Sequence, residues 1–216
     1  MTSRRQPPPV TIATVATTEA GRLSSQLHRW LASDEEKTLG GLIHAFGDKS
    51  FAILLVVLLG IPALPIPTGG ATHVFEIIAV IITVQLMAGR HEVWLPQRWQ
   101  KIELAGPRQQ RFIAGLIRLI RWLELRSRPR LRFLFHRRGT DIAFGALALI
   151  GTVSAFVAPP FSGLDTLPAL GVVLLSLSVL LEDVLLTLVG IVLVIAGIVL
   201  EVVLGEALLH AFSAIL

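Results

Sequence analysis

Glu76 is the only charged residue of an apolar segment in the first half of the chain, and His73 precedes it by three residues. Side chains three residues apart lie on one face of a helix, so the imidazole and the carboxylate can meet. An ionisable group in such a segment is a candidate functional site, because burying an unpaired carboxylate in hydrocarbon is costly. The pair could relay a proton or bind a polar headgroup. The alternative is that both side chains lie one turn from a loop and reach interfacial water.

Three further polar residues are candidates for a binding site. Gln85 lies nine residues after Glu76 and is predicted to hydrogen-bond to a neighbouring helix or to contact a substrate. Arg90 and Asp183 are equivalent at an offset of 93 residues, a spacing that recurs below. These two residues would either form a salt bridge that closes the cytoplasmic face or lie separately at the membrane interface.

The sequence contains no recognisable catalytic or metal-binding motif. It has no cysteine, and its six histidines are scattered without metal-ligand spacing. We therefore predict no catalytic residue, no metal site, no cofactor and no enzymatic activity. A membrane enzyme acting on lipid carriers would require other carboxylates to converge on Glu76, the candidates being Asp141, Asp165, Glu182 and Asp183.

The composition predicts the class of protein that must position these residues. Apolar residues make up 53% of the 216 residues and charged residues 16%, with a mean hydropathy of +0.73. A soluble domain of this size would expose an unusually large apolar surface. The predicted fold class is an all-α, polytopic integral membrane protein.

The positive charges predict the topology. Of the 19 Lys and Arg residues, six precede residue 50, thirteen lie between Arg90 and Arg138, and none follows. Cytoplasmic loops are enriched in Lys and Arg, so the N-terminus and the central basic segment are both assigned to the cytoplasm. The apolar segment between them must enter the membrane and return.

Proline and glycine residues interrupt the apolar sequence twice, at IPALPIPTGG and at VAPPFSG. Each interruption separates two apolar runs, each about as long as one helix of a helical hairpin. The two runs either cross the bilayer as short tilted spans or form a re-entrant hairpin. The runs are Phe51 to Ile66 and Val74 to Ala88, then Ile142 to Val157 and Leu167 to Leu181. The residues assigned to the breaks are Pro62, Pro65, Pro67, Gly69 and Gly70 in the first and Pro159, Pro160 and Gly163 in the second.

The two hairpins resemble an internal repeat. At an offset of 93 residues, four positions around the breaks are identical: Asp48 and Asp141, Phe51 and Phe144, Pro67 and Pro160, Gly70 and Gly163. Transporters are often built from repeats whose broken helices expose backbone groups near the membrane midplane. The charge distribution favours parallel repeats, whereas an inverted pair would need one more crossing. The alternative is that two unrelated membrane hairpins look alike.

The breaks and the positive charges divide the chain into six predicted segments. Residues 1–18 are predicted to be a disordered tail, 19–49 two amphipathic cytoplasmic helices, 50–89 the first membrane hairpin, 90–138 a basic cytoplasmic or interfacial segment, 139–183 the second hairpin, and 184–216 a transmembrane helix and tail. Ser33 and Glu36 have the spacing of a capping box between the two amphipathic helices.

The basic segment is predicted to contact anionic lipid. Between Arg111 and Leu125 a wide apolar helical face opposes arginines, which is typical of a helix in the headgroup plane. The arginines assigned to this surface are Arg111, Arg118, Arg121, Arg128 and Arg130. No groove-reading motif accompanies them, so no nucleic-acid partner is predicted. A homo-oligomer is compatible with the sequence.

Several motifs resemble those of the ExoD family of bacterial membrane proteins. They are TLGGLIHAFGDKSFAILL before the first break, QLMAGRHEVWLP after the first hairpin, RPRL in the basic segment and LPAL after the second break. The family usually has a basic residue, Asp and Gly after its second hairpin helix, whereas this chain has Leu181, Glu182, Asp183 and Val184, and HVFEI lacks the helix-starting proline that is common in the family. The resemblance implies a multi-pass protein of the bacterial inner membrane, associated with exopolysaccharide synthesis or export. Its expected partners are polysaccharide-synthesis proteins or a lipid-linked sugar, and a non-catalytic scaffold is the alternative to a transporter.

Overall fold

The computed structural model describes residues 22–33, 36–64, 72–90, 92–104, 106–126, 138–159 and 162–215. Within these ranges the chain is helical, and its only strand-like contact is an isolated bridge between Thr38 and Glu103. The predicted all-α class is confirmed, while the predicted tail at residues 1–18 lies outside the described residues. The helices are α1 (Leu23–Ala32), α2 (Leu39–Phe46), α3 (Ser50–Gly60), α4 (Thr72–Met87), α5 (Gln97–Gln100), α6 (Pro107–Arg126), α7 (Arg138–Val157), α8 (Thr166–Leu181) and α9 (Val184–Ile215), with a 3-10 turn at Gly47–Lys49.

Helix α3 is the centre of the molecule. All eleven of its residues are buried, because α2, α4 and α8 pack around it. A helix that is apolar all round is stable only when it is surrounded in this way. It ends at Gly60, earlier than the apolar run predicted, because the chain turns through Ile61 to Leu64 and a proline at position 62 is incompatible with a helix interior. The Phe112 ring of α6 lies on Gly60, where a Cβ atom would approach its Cζ to 2.5 Å.

The four helices on either side of the two breaks pack crosswise. Helix α3 contacts α8, and α4 contacts α7, in addition to the contacts between the consecutive pairs α3–α4 and α7–α8. Each helix of one pair therefore has a partner in the other pair. Helix α9 then packs along α8 and makes a smaller contact with α7.

Helices α8 and α9 approach closely because glycines lie between them. A Cβ atom on Gly197 would come within 2.5 Å of the Pro168 ring, and one on Gly171 within 2.6 Å of the Val194 side chain. Close packing through small residues is typical of helices in membranes. The two pairs also fix an antiparallel register, in which residue 201 of α9 lies level with residues 164 and 165.

One described helix is long and apolar enough to cross a membrane. It comprises Val184–Glu206 of α9, whose most apolar 18-residue window has a mean hydropathy of 2.8 and is only 17% buried by the rest of the chain. The described part of the chain also contains four shorter apolar helices, Ser50–Gly60, Thr72–Met87, Ile142–Val157 and Thr166–Leu181. Large apolar side chains are exposed along α4, α7 and α9, which is the opposite of what the core helix of a soluble domain shows.

The helices outside the bundle pack on each other. Leu23, Leu27 and Trp30 of α1 are buried against α6, and the Glu124 carboxylate accepts hydrogen bonds from the backbone and hydroxyl of Ser24. The two predicted amphipathic helices are present, as α1 and α2.

The prediction that the apolar face of α6 enters the headgroups is wrong for most of that face, because protein covers it. The covered side chains are Ile113, Leu116, Ile117, Ile120 and Leu123.

The predicted capping box at Ser33 and Glu36 is wrong. Ser33 ends α1, where its hydroxyl donates to the Trp30 carbonyl oxygen. Helix α2 begins later, and the Thr38 hydroxyl is its N-cap, accepting a bond of 3.1 Å from the Gly41 amide. Thr38 has the extended backbone that an N-cap needs.

Helices α4 and α8 end in the same way. Gly89 follows α4 with φ +72°, and Glu182 follows α8 with φ +54°. The next residue of each, Arg90 or Asp183, donates its amide to the carbonyl oxygen five residues earlier. Glycine adopts this left-handed conformation without cost, whereas a side chain at the position is strained.

We expect Glu182→Gly to be more stable than Glu182→Ala by about 1 kcal/mol, because both variants lose the side chain but only glycine relieves the backbone. Thermal unfolding midpoints of the two variants in detergent measure the difference. Equal midpoints would contradict a left-handed residue at this helix end.

We also expect Gly197→Ile to disrupt the packing of α9 on α8, because the new side chain would overlap the Pro168 ring. Gly205→Ile is the matched control, since a Cβ atom at Gly205 on the same helix has nothing within 4 Å. Limited proteolysis and the thermal midpoint in detergent report the loss. A Gly197→Ile protein as stable as Gly205→Ile would rule out this helix contact.

Candidate functional site

Glu76 is completely buried and bonded to His73. The His73 Nδ1 atom lies 2.6 Å from Glu76 Oε2, and the two side chains are 27% and 0% exposed, respectively. They are one turn apart on α4, directly after the first break. The other carboxylate oxygen, Glu76 Oε1, is buried without a hydrogen-bond partner among the described residues.

A second hydrogen-bonded carboxylate lies on α9. The Ser154 hydroxyl of α7 donates a hydrogen bond of 2.7 Å to Glu201 Oε2, and Glu201 Oε1 is buried without a partner within the described ranges. Asp165, at the start of α8, lies level with Glu201 in the register of α8 and α9. It lies within electrostatic reach of His73 and Glu76 on one side and of Glu201 on the other. Four helices thus contribute to one polar cluster.

Helix packing explains why these five residues lie at the same level of the bundle. His73 and Phe156 are in edge contact, with ring centroids 5.7 Å apart, and Gly145 packs on Met87 at the other end of the same helix pair. These contacts make α4 and α7 antiparallel and put Ser154 level with Glu76. The glycine contacts between α8 and α9 put residue 201 level with residue 165. The cluster is therefore positioned by two independent helix registers.

The cluster lies at the end of the bundle where the two breaks are. His73 and Asp165 each begin the helix after a break, whereas Ser154 lies in the last turn before one. Glu201 is 17 residues along α9 from Val184, about 26 Å at roughly 1.5 Å per residue. Apolar side chains remain exposed beyond it at Val202 and Val203, so the cluster is still within the apolar part of the helix.

Gln85 holds the loop that follows α4. Its side-chain amide donates to the Trp94 carbonyl oxygen at 2.9 Å, and its oxygen accepts from the Trp94 amide at 2.8 Å. A third bond, of 3.2 Å, goes to the Ile81 carbonyl oxygen within α4. The described contacts of Gln85 are thus with its own helix and the next loop rather than with a neighbouring helix, and Gln85 does not join the polar cluster.

Arg90 and Asp183 do not form an ion pair with each other. Arg90 is exposed, whereas Asp183 is buried at the start of α9 and accepts a bond of 2.9 Å from the Leu185 amide. Asp183 is a helix cap at the end of α8 opposite to Asp165. Neither residue is part of the cluster around Glu76.

The remaining predicted residues are partly described. Pro62 is buried in the turn after α3, Pro159 is exposed, and Gly163 has the left-handed φ of +69°. Arg111, Arg118 and Arg121 are exposed on α6. The other assigned break residues and arginines lie outside the described ranges: Pro65, Pro67, Gly69, Gly70, Pro160, Arg128 and Arg130.

Ser154 and Glu201 were not predicted as site residues. Glu201 follows a charge-free run of α9, so its position in the sequence marks only the end of an apolar segment. Asp165 was recognised only as one of several carboxylates that an enzyme would need near Glu76. The signal that could have found Glu201 is the glycine spacing of α8 and α9, because it gives the antiparallel register once the two helices are known to pack.

Comparison with known proteins identifies the family. The chain matches the family described as exopolysaccharide synthesis, ExoD, over residues 23–203. The chain belongs to the ExoD family. It is also 29% identical over 154 residues to the uncharacterized protein slr1875 of Synechocystis sp., covering 70% of this chain and 72% of that protein. No solved structure matches it. Membership connects the chain with exopolysaccharide synthesis, and His73, Glu76 and Asp165 lie within the matched region together with Ser154 and Glu201.

We expect Gln85→Leu to release the loop at Trp94, because the variant loses both hydrogen bonds to the Trp94 backbone and leaves those groups to water. Each lost bond is worth about 1 kcal/mol. Hydrogen exchange at the Trp94 amide measures the release. Gln97→Leu, at an exposed position of α5, is the control and should leave that amide unchanged.

Proposed function

We propose that this ExoD-family chain is a multi-pass protein of the bacterial inner membrane that uses a buried polar site at its two helix breaks in exopolysaccharide synthesis or export. The observation that carries the proposal is Glu76, which has no exposed surface and one carboxylate oxygen without a partner in the described part of the chain. Leaving a buried polar group unsatisfied is costly, so such groups are retained chiefly for function.

The distribution of exposed apolar side chains supports the membrane location. Helices α4, α7 and α9 carry them on their outer faces, while Glu76, Thr83 and Gln85 of α4 are buried. Polar residues in membrane helices face the interior of the bundle and apolar residues face lipid. Helix α4, with 16 residues, is about 24 Å long, so the hairpins are either short spans or re-entrant.

Three features support a duplicated hairpin. Adding 93 to the residue numbers places α3 on α7 and α4 on α8, so the contact between α3 and α8 corresponds to the contact between α7 and α4. Under the same offset the last residues of α4 and α8 differ by one position. The left-handed residues Gly89 and Glu182 are also equivalent, as are the hydrogen bonds that follow them. In transporters with repeated broken helices, the site lies where the breaks meet.

The site differs between the two halves. At positions equivalent to His73 and Glu76 the second half has Thr166 and Ala169, and Glu201 comes from a helix outside both halves. An asymmetric cluster of carboxylates, an imidazole and a hydroxyl can hydrogen-bond the hydroxyl groups of a lipid-linked sugar. The part-exposed His73 would be the first group that such a ligand meets.

We expect Glu76→Gln to abolish rescue of exopolysaccharide production in cells lacking the native protein, because the amide replaces one carboxyl oxygen with an NH2 group that can neither ionise nor accept a hydrogen bond. Glu206→Gln is the matched control, since Glu206 is exposed near the end of the span. Immunoblots of membrane fractions confirm that both variants accumulate. Full rescue by Glu76→Gln would sink the proposal.

The positions of the breaks have a separate test. Cysteines introduced at Thr68 and Ser162 of the cysteine-free chain should show equal accessibility from one side of the membrane, because the distribution of positive charges favours parallel hairpins. Labelling of intact cells and of inverted vesicles with an impermeant maleimide distinguishes the sides. Labelling of the two cysteines from opposite sides would require an inverted repeat instead.

A scaffold that holds a polysaccharide-synthesis complex on anionic lipid is the second candidate. Its support is the outer face of α6, where Leu119, Trp122 and Leu125 are exposed beside arginines, and Arg126 stacks on Trp122 with 5.4 Å to the ring centroid. Such a surface matches the interface of an anionic membrane. Under this hypothesis Arg118→Gln combined with Arg121→Gln fails to rescue polysaccharide production, while Glu76→Gln rescues it.

A further inference from the structure

We infer that the polar cluster at the two breaks is a proton-exchange site, in which Glu76 takes up and releases a proton through His73 and Glu201 holds a second proton beside Ser154. The inference deepens the proposed function, on which it rests for the membrane location of the cluster. It adds a ligand, the proton, that goes between Glu76 and the outside through His73.

The unpartnered oxygens give the first argument. Glu76 and Glu201 each use Oε2 in a hydrogen bond and leave Oε1 buried with no partner among the described residues. A proton on such an oxygen removes the cost of a buried charge without any other ligand. Two separate carboxylates with this same arrangement, beside one Asp165, provide places for a proton at both ends of the cluster.

The electrostatic surroundings give the second argument. The ionisable groups whose charge acts on Glu76 are His73 on its own helix and Asp165 at the start of α8, and the charge of Asp165 also acts on Glu201 of α9. Helix α3 contributes no ionisable group, and the described side chains of α7 contribute the Ser154 hydroxyl. Three carboxyl groups with one imidazole cannot all be charged without repulsion, so protonation of one depends on the others.

The donor set favours a proton over a metal cation. Within the described residues no three His, Asp or Glu side chains are placed to hold one metal ion, and this includes His73, Glu76, Asp165 and Glu201. The residues of the two breaks outside the described ranges, 65–71 and 160–161, contain none of these types. Stable cation sites in proteins need several oxygen or nitrogen ligands around one point, whereas a proton needs one or two.

Access to water completes the site. His73 is part-exposed while Glu76 behind it is not, so a proton from solvent reaches the imidazole first. The proton moves from the imidazole nitrogen to a Glu76 oxygen along the 2.6 Å hydrogen bond, which leaves the imidazole neutral and Glu76 as a carboxylic acid. Reversal of this step returns the proton, and no other reactant is required.

Carbodiimide labelling tests the inference without knowledge of any sugar substrate. Dicyclohexylcarbodiimide is apolar and reacts with a protonated carboxyl group: the acid proton goes to nitrogen, the oxygen bonds to the central carbon, and rearrangement leaves a stable acylurea. The full-length chain in liposomes is labelled between about pH 5 and about pH 9, a range in which buried carboxyl groups titrate, and peptide mass spectrometry locates the adduct.

The expected result is an adduct on Glu76 or Glu201 that decreases as the pH rises, and none on the exposed Glu92 and Glu206. Asp165→Asn should move the pH midpoint of labelling by roughly one unit, a tenfold change in proton affinity, whereas Glu206→Gln should leave it unchanged. Wild-type labelling needs no substitution, so the test does not depend on a variant that folds.

Two results would overturn the inference. One is the absence of an adduct on both Glu76 and Glu201 at every pH, and the other is protection by sodium chloride but not by choline chloride, which would identify Na⁺ as the ligand. If either result occurs while Glu76→Gln still abolishes polysaccharide production, the proposed function stands without protons. If pH-dependent labelling occurs while Glu76→Gln rescues production, the proton site stands and the proposed function fails.

Discussion

The close contact of α8 with α9 is the interaction on which the rest of the structure depends. Gly171 and Gly197 let the two backbones approach until the Pro168 ring and the Val194 side chain fill the space between them. This contact fixes the antiparallel register that carries Glu201 to the level of Asp165. A larger residue at either glycine would separate the helices, and Glu201 would no longer lie level with Asp165. The site is therefore a consequence of apolar packing as much as of its own hydrogen bonds.

The buried carboxylate of Glu76 is tolerated because the packing around it leaves no alternative. Helix α3 is apolar on every side, and α7 covers the adjacent face of α4. Glu76 could reach the outside only if α4 rotated, and that rotation would expose the apolar side chains on the inner face of α4. His73 offsets part of the desolvation with one hydrogen bond, which leaves one oxygen unsatisfied. Bundles of apolar helices usually exclude such groups. The buried Glu76 destabilises the folded state, and a purely structural role does not explain why it is present.

The sequence predicted the helices well and the meeting of the site residues poorly. Apolar run lengths and the prolines gave α3, α4, α7 and α8 with errors of a few residues, because length and helix breaking are local properties. Glu76 and His73 were recognised for the same reason, since their spacing lies within one helix turn. Ser154 and Glu201 were missed because they are 47 residues apart and come together only through helix packing. Gln85 was identified as a polar contact, but its partner is a loop whose course no periodicity predicts.

Helix α6 illustrates the limit of reasoning from amphipathicity. Its wide apolar face fits both a membrane surface and a protein core, since both remove apolar groups from water. The burial of Ile113, Ile117 and Ile120 selects the protein core, while the exposed Trp122 and Leu125 leave a narrower strip beside the arginines. The same helix thus anchors α1 through Glu124 and presents positive charge outward. A lipid-facing role for α6 must therefore rest on that narrow strip and on its charges, and not on the hydrophobic face that the sequence makes conspicuous.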